Sequence, residues 1–336
     1  MVRAFAVLVF AAALLPAQTL KIYAIDVEGG KSTLYVSPSG ESMLIDTGYA
    51  GNEGRDANRI AAAAKVAGVK KIDYLVITHY HGDHAGGIVQ LAAKMPIGQI
   101  FDHGDSFEQT NEKTQAVFQP FAALRAKYPH RTVGPGDSIP VKGLQVEVVA
   151  GAGKAISAPL SGGGAGAANP LCASYEALKP DPGENAHSLA MIITFGKLRI
   201  ADLGDLYWNQ EYELVCPVNK LGKVDLYMTT HHGTATSGHP QIVHALHPRV
   251  AIMNNGAEKG GSVKAWTTIK ASAGLEDLWQ LHFSNEGGKE HNVEEKFIAN
   301  PAVEGDKGFA IEVEARADGS FSVKNERNGL VKSYGR

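Results

Sequence analysis

Thr78-His79-Tyr80-His81-Gly82-Asp83-His84-Ala85-Gly86-Gly87 follows directly on the apolar run Tyr74-Leu75-Val76-Ile77. The run is long enough for a buried strand and too short for a helix. Three imidazoles and a carboxylate packed between His79 and His84 fit neither one helix face nor one strand face. A tight turn at Gly82 points His79 and His81 one way and Asp83 and His84 the other. That geometry suits two adjacent metal ions, because neutral imidazole and carboxylate are ligands for borderline-soft zinc.

Outward from this stretch, strand and helix signals alternate. Strand patterns cover residues 20–27, 33–36, 43–45, 74–77, a short stretch at Ile100, 144–149, 189–194, 198–201, 225–228, 250–253, 309–314 and 321–324. Helical patterns cover 56–67, 88–94, 118–127, 240–246 and 265–271, with Asp56 as an N-cap and Gly68 as a stop. From 150 to 185 the pattern ceases around Ser161-Gly162-Gly163-Gly164-Ala165-Gly166. A structureless stretch of that length inside a domain is either functional or disordered. No repeat or polar linker divides the chain, so residues 19–336 read as one mixed α/β domain with a Gly-rich insertion at about 150–185.

Composition narrows the class. The 336 residues are 44% hydrophobic and 20% charged, which excludes a disordered or collagen-like chain. A formal net charge of −3 offers no basic excess for nucleic acid, so the expected partner is a small-molecule substrate. Two cysteines cannot build a Cys-rich zinc site. Residues 1–18 read as a signal peptide: Arg3 is the only charge before Lys21, an apolar run follows it, and small residues surround Pro16-Ala17-Gln18. No later stretch approaches membrane length, so the expectation is a periplasmic or secreted protein without a membrane span after cleavage. Export makes Cys172 and Cys216 a disulfide candidate.

His79-x-His81-x-Asp83-His84 resembles the signature motif of the metallo-β-lactamase fold, and Met43-Leu44-Ile45-Asp46-Thr47-Gly48 resembles the strand that precedes it in that superfamily. The stretch from Phe195 to Gly204-Asp205 is similar to the strand pair that ends in the metal-bridging Asp. Asp225-Leu226-Tyr227-Met228-Thr229-Thr230-His231-His232-Gly233 resembles a segment of the branch that includes the hydrolase domain of the competence DNA-uptake channel. Asp26-Val27-Glu28-Gly29-Gly30 and Pro248-Arg249-Val250-Ala251-Ile252 resemble two further segments of that branch. The resemblance spans about residues 20–256 and implies a four-layer αββα sandwich with a dinuclear site on one edge.

Carried over residue by residue, it implies His79, His81 and Asp205 for one metal, and Asp83, His84, Asp205 and His231 for the other. Asp83 and Asp205 become the catalytic carboxylates. His231 is preferred to His232 because it stands first after the strand. His232 then binds substrate or orients a ligand, and His103, behind the strand at Ile100, is a second substrate-binding candidate. The implied cofactor is two zinc ions, with manganese or iron as alternatives. At about 3.5–4 Å apart they would share a bridging hydroxide formed by lowering the pKa of water to about 7.

Two segments depart from the family pattern. Glu184-Asn185-Ala186-His187-Ser188 stands where the superfamily has a further ligand histidine, and Asn185 with Ser188 matches the competence branch instead. Asn254-Asn255-Gly256-Ala257-Glu258-Lys259-Gly260-Gly261 replaces that branch's loop after the following strand. His282, within Trp279-Gln280-Leu281-His282-Phe283, reads as a packed histidine, and His239, His244 and His247 as surface-helix residues. No serine shows an accompanying base motif, and there is no P-loop. The expected function is an exported zinc-dependent hydrolase of phosphodiester bonds. Lactone, ester or β-lactam hydrolysis is the alternative, and a non-catalytic zinc- or carbohydrate-binding module is a third.

Overall fold

Short strands with apolar side chains on both faces need cover on both sides, and this chain supplies it with a second sheet and two helical layers. The computed structural model describes residues 19–301 and 307–336, so the signal-peptide reading of residues 1–18 lies outside the described residues. The first sheet begins with β1 (Leu20–Ala24), β2 (Thr33–Val36), β3 (Ser42–Ile45), β4 (Ile72–Val76), β5 (Ile97–Asp102) and β6 (His130–Thr132). The second takes β7 (Ser138–Ile139), β8 (Gln145–Gly151), β9 (Lys154–Ala155), β10 (Ala190–Phe195), β11 (Leu198–Asp202), β12 (Leu226–Met228), β13 (Val250–Met253), β14 (Asp277–His282) and β15 (Ile298–Asn300). The chain then returns to the first sheet with β16 (Ile311–Ala315), β17 (Phe321–Asn325) and β18 (Val331–Tyr334), giving the order β18-β17-β16-β1-β2-β3-β4-β5-β6. The second sheet runs β15-β14-β13-β12-β11-β10-β8-β7, with β9 paired to β8.

The period of two along each strand sorts side chains between layers. Ile22, Tyr35, Met43 and Ile45 share one core with Met191, Ile193, Ile200 and Ile252 between the sheets. The alternate residues Leu34, Leu44 and Leu75 pack with α1 (Arg55–Val66), α3 (Ile88–Ala92) and α4 (Glu112–Arg125), leaving the short α2 (Gly82–Ala85) at the strand ends. Ile192, Ala201, Tyr227 and Ala251 pack with α5 (Trp208–Val215), α6 (Pro240–Leu246) and α7 (Val263–Lys270). The result is the expected αββα sandwich. No helix among the described residues is long and apolar enough to cross a membrane.

Several local expectations are corrected. Asp56 lies inside α1 and is not its cap; its Oδ2 accepts the Tyr49 N–H at 2.7 Å. α4 starts at Glu112 and not near residue 118, because Asn111 Oδ1 caps it by accepting from Lys113 N and Thr114 N at 3.1 and 3.4 Å. Its first turn is polar, so apolar periodicity does not reveal it. β14 escapes notice for a similar reason: it buries Asp277, Gln280 and His282 among apolar residues. His239 is buried against Trp208 and is not a surface-helix residue. The Gly-rich segment is held in place. Arg199 Nη1 donates to Ser161 O at 3.0 Å, Lys223 N to Gly163 O at 2.7 Å, and a Cys172–Cys216 disulfide ties it to the end of α5.

The pairings β3–β4, β4–β5 and β11 through β15 are parallel, so their carboxyl ends share one edge of the sandwich. In open α/β sheets that edge is where ligands bind. A buried ion pair fastens the two sheets beneath it. Lys31 Nζ meets Asp202 Oδ1 at 2.5 Å, with both side chains almost fully buried, and Lys31 N donates to Asp83 O at 3.0 Å. Removing one partner of such a pair strands a buried charge. Asp202→Leu should therefore lower unfolding stability in urea by about 3–5 kcal/mol, and adding Lys31→Met should recover a large part of the loss. A single variant as stable as the parent would show that the pair does not hold the sheets.

Candidate metal centre

Asp46, just past β3, organises the site. Its Oδ1 accepts Thr78 N at 2.8 Å, and its Oδ2 accepts Thr78 Oγ1 at 2.8 Å and His84 Nδ1 at 2.7 Å. With Nδ1–H committed to Asp46, His84 turns Nε2 toward the centre of the edge. There His84 Nε2 lies 3.1 Å from Asp205 Oδ2 and 3.2 Å from both Asp83 Oδ2 and His232 Nε2. His232 Nε2 in turn lies 3.1 Å from Asp83 Oδ2 and 3.2 Å from Asp205 Oδ2. These four residues are all buried, and their ligand atoms fall within 4.8 Å of one another. Beside them His79 and His81 form a second pair of donors, with Nε2 and Nδ1 3.1 Å apart and the His79 ring 4.1 Å from that of His84.

The donor set fits a metal. Asp205 Oδ1 is buried without a hydrogen-bond partner, as is Asn185 Oδ1 nearby in sequence to the family's missing histidine. Burial pushes the Asp205 and Asp83 carboxyls up, yet the surrounding histidines, joined at Asp83 by Lys259, outweigh it and hold both well below the usual range. Burial pushes His84 down, but Asp205, Asp83 and Asp46 more than reverse this and favour its charged form. His79 is driven well below its ordinary value by burial and by the charges of His84 and His81. A divalent cation would offset the same two carboxylates while using the imidazole lone pairs as ligands.

The structure brings His79, His81, Asp83, His84 and Asp205 together. It places His232, and not His231, in the four-residue cluster. β12 ends at Met228, and both histidines lie in a left-handed turn, with φ of 50° at His231 and 57° at His232. That turn swings the second ring inward, where its Nδ1 meets the Asn254 side chain at 3.0 Å. His231 stays at the margin, its Nε2 3.6 Å from Asp205 Oδ2 and its Nδ1 3.2 Å from Ser237 Oγ, and burial lowers its pKa to about 4. His232 is thus a ligand candidate.

His103 is buried, with Nε2 3.0 Å from Glu184 Oε2. His187 donates from Nδ1 to Gly183 O at 2.7 Å and stacks on Phe107 at 3.6 Å. A second acidic group, Asp26 with Glu28 and His282, is already partnered, since Arg59 Nη1 meets Asp26 Oδ2 at 2.8 Å and His282 Nε2 meets Oδ1 at 2.7 Å. Sequence reasoning did not single out Glu184 and Lys259 as site residues, although each stands inside one of the two departing segments.

The family model of the Metallo-beta-lactamase superfamily matches residues 25–162. Over 65 residues the chain is 38% identical to a UPF0173 metal-dependent hydrolase of Staphylococcus carnosus (strain TM300), covering 19% of this chain and 25% of that protein. Over 109 residues it is 33% identical to the lactamase-like protein vrtG of Penicillium aethiopicum, covering 28% and 34%. The chain thus spans about a quarter to a third of the length of these curated relatives. The metallo-beta-lactamase fold protein YhfI from Bacillus subtilis is a structural neighbour at TM-score 0.45 and 12% identity, covering 78% of this chain and 95% of that one. The stretch matched by the superfamily model contains the His79–His84 turn that supplies part of the buried His/Asp cluster.

Two outcomes follow from this geometry. Asp205→Ala and His232→Ala should each lose bound divalent metal in elemental analysis after reconstitution, while His187→Ala should keep it. Equal loss from all three would add His187 to the ligand set. Separately, burial raises the Glu184 carboxyl, but bonds from His103, Ser106 and the Phe107 N–H bring it from 4.5 down to about 2. A depressed acid stabilises the fold above its unfolded pKa and loses that contribution as pH falls through the folded one. Glu184→Gln should cost about 3 kcal/mol at neutral pH, with the gap narrowing below about pH 4.5. A gap that stays constant through that range in denaturant titrations would refute the assignment.

Proposed function

We propose that the protein is a dinuclear zinc-dependent hydrolase that cleaves phosphodiester bonds in a small substrate. The observation that carries this reading is the buried Asp83–His84–Asp205–His232 cluster adjoining the His79–His81 pair. These residues would hold the metals. When bound, the pair supplies Lewis acidity and an activated water. The chain's own residues do the rest. Asp46 fixes the His84 tautomer, Asn254 orients His232, and burial excludes bulk water from the carboxylates. Support for hydrolysis comes from relatives named metal-dependent hydrolases, and for phosphodiesters from the segments that resemble the competence-channel branch.

The same proposal keeps the exported location, for which a Cys172–Cys216 disulfide is suitable chemistry. Lactone or ester hydrolysis is the second reading. It is favoured by Phe107, a large apolar side chain exposed next to Glu108, which reaches His81 at 3.6 Å. Zinc-reconstituted protein should hydrolyse bis-p-nitrophenyl phosphate, and the activity should vanish on chelation and in Asp205→Ala. Turnover of lactones or a chromogenic cephalosporin, with phosphodiesters untouched, would transfer the assignment to the second reading.

A further inference from the structure

The loop from Asn254 to Gly261 follows β13 and crosses the mouth of the metal centre, and the hydrolytic reading leaves its Lys259 unused. Lys259 Nζ pairs with Asp83 Oδ2 and stands 6.0 Å from the centroid of the Tyr49 ring. Its side chain is 35% exposed while that of Asp83 is 10% exposed, so the ammonium lies between solvent and the buried donors. The loop backbone is fixed on both sides of it. Gly256 N donates to Lys259 O at 2.8 Å, Gly261 N to His232 O at 2.9 Å, and Asn285 N to Ala257 O at 2.9 Å. Gly260 has φ +76°, and a Cβ there would come within 2.1 Å of His232 O. Across the site, a Cβ on Gly29 would lie 3.0 Å from Lys259 Cβ. The backbone therefore has no room to retreat, and only the flexible four-carbon stem can redirect the charge.

We propose that Lys259 is a specificity-determining residue that receives an anionic oxygen of a phosphate-ester substrate at the mouth of the site. The inference rests on the reading of the centre as a phosphodiester hydrolase. Asp83 cannot fully neutralise two cations at once. Once its carboxylate ligates a metal, the Lys259 ammonium stands next to a dication with its partner's charge already committed. Two like charges at such range in a partly desolvated site repel, and an anion placed between them relieves the repulsion. A phosphate ester brings that charge in the ground state. A neutral lactone or ester brings none before its carbonyl is attacked. Lysine, as a compact point charge, suits phosphate oxygens in this role.

The test uses the full, zinc-loaded protein and inorganic phosphate as probe, titrated calorimetrically into the parent, Lys259→Gln and Lys259→Arg. Elemental analysis of each confirms metal content. Lys259→Gln should keep its metal and bind phosphate about tenfold more weakly or worse, whereas Lys259→Arg should stay near the parent. With bis-p-nitrophenyl phosphate, Lys259→Gln should raise KM by more than it lowers kcat. Unchanged phosphate affinity in Lys259→Gln overturns the proposal, and so does loss of metal from that variant, which would make Lys259 a support of the ligands. Phosphate binding needs no turnover. If binding depends on Lys259 and no phosphodiester is cleaved, the failure belongs to the hydrolytic reading alone. If phosphodiesters are cleaved and phosphate binding ignores Lys259, the failure belongs here.

Discussion

Asp83 and Asp205 bring their carboxylates together with only 7% and 1% of their residue surface left to solvent, and the rest of the edge is arranged around that burial. Two desolvated anions at this range are untenable unless positive charge or strong donors surround them. The chain answers with imidazoles from two different sheets. His84 arrives on α2 behind the first sheet, and His232 on the turn behind β12 of the second. Neither could reach the carboxylates unless the sheets were held in fixed register. The Lys31–Asp202 pair supplies that register: its ammonium crosses between the sheets, and the Lys31 main chain also receives Gly48 N and donates to Asp83 O.

The same constraint explains which histidines are free to ligate. An imidazole whose outer nitrogen is held by an acceptor presents its other nitrogen as a lone pair. Asp46 does this for His84, and the Asn254 main-chain carbonyl, 3.3 Å from Nδ1, does it for His232. His103 has its Nε2 taken by Glu184, and His282 its Nε2 taken by Asp26, so both serve as hydrogen-bond partners for buried acids. Thirteen histidines in one chain thus divide by their partners, and abundance alone says little about the site.

Legibility in the sequence followed locality. The mixed α/β class could be read because strand and helix periods are local, the four layers came from the family resemblance, and His79, His81, Asp83 and His84 could be read because one turn carries them all. His231 against His232 could not be decided by counting from the strand, because two consecutive left-handed residues reverse which ring faces inward. Helix α4 and strand β14 were hidden by polar residues whose partners lie far along the chain, as when Gln280 Nε2 donates to Asn292 Oδ1 at 2.9 Å. Lys259 lies 176 residues from Asp83, and no spacing rule connects them.

That separation has a consequence for how one fold serves different substrates. The donors come from strand ends and tight turns whose geometry the sheets enforce, so they vary little in position once the sandwich forms. The 254–261 segment follows β13 at the same edge, but it is fixed by glycine packing and main-chain bonds to the His232 turn, and it contributes no residue to the four-member cluster. A change of side chain at Lys259 could therefore alter the charge at the mouth while leaving the cluster intact. The four-member cluster and the charge at its mouth thus lie on separate pieces of chain. Resemblance to a fold identifies the first far better than the second.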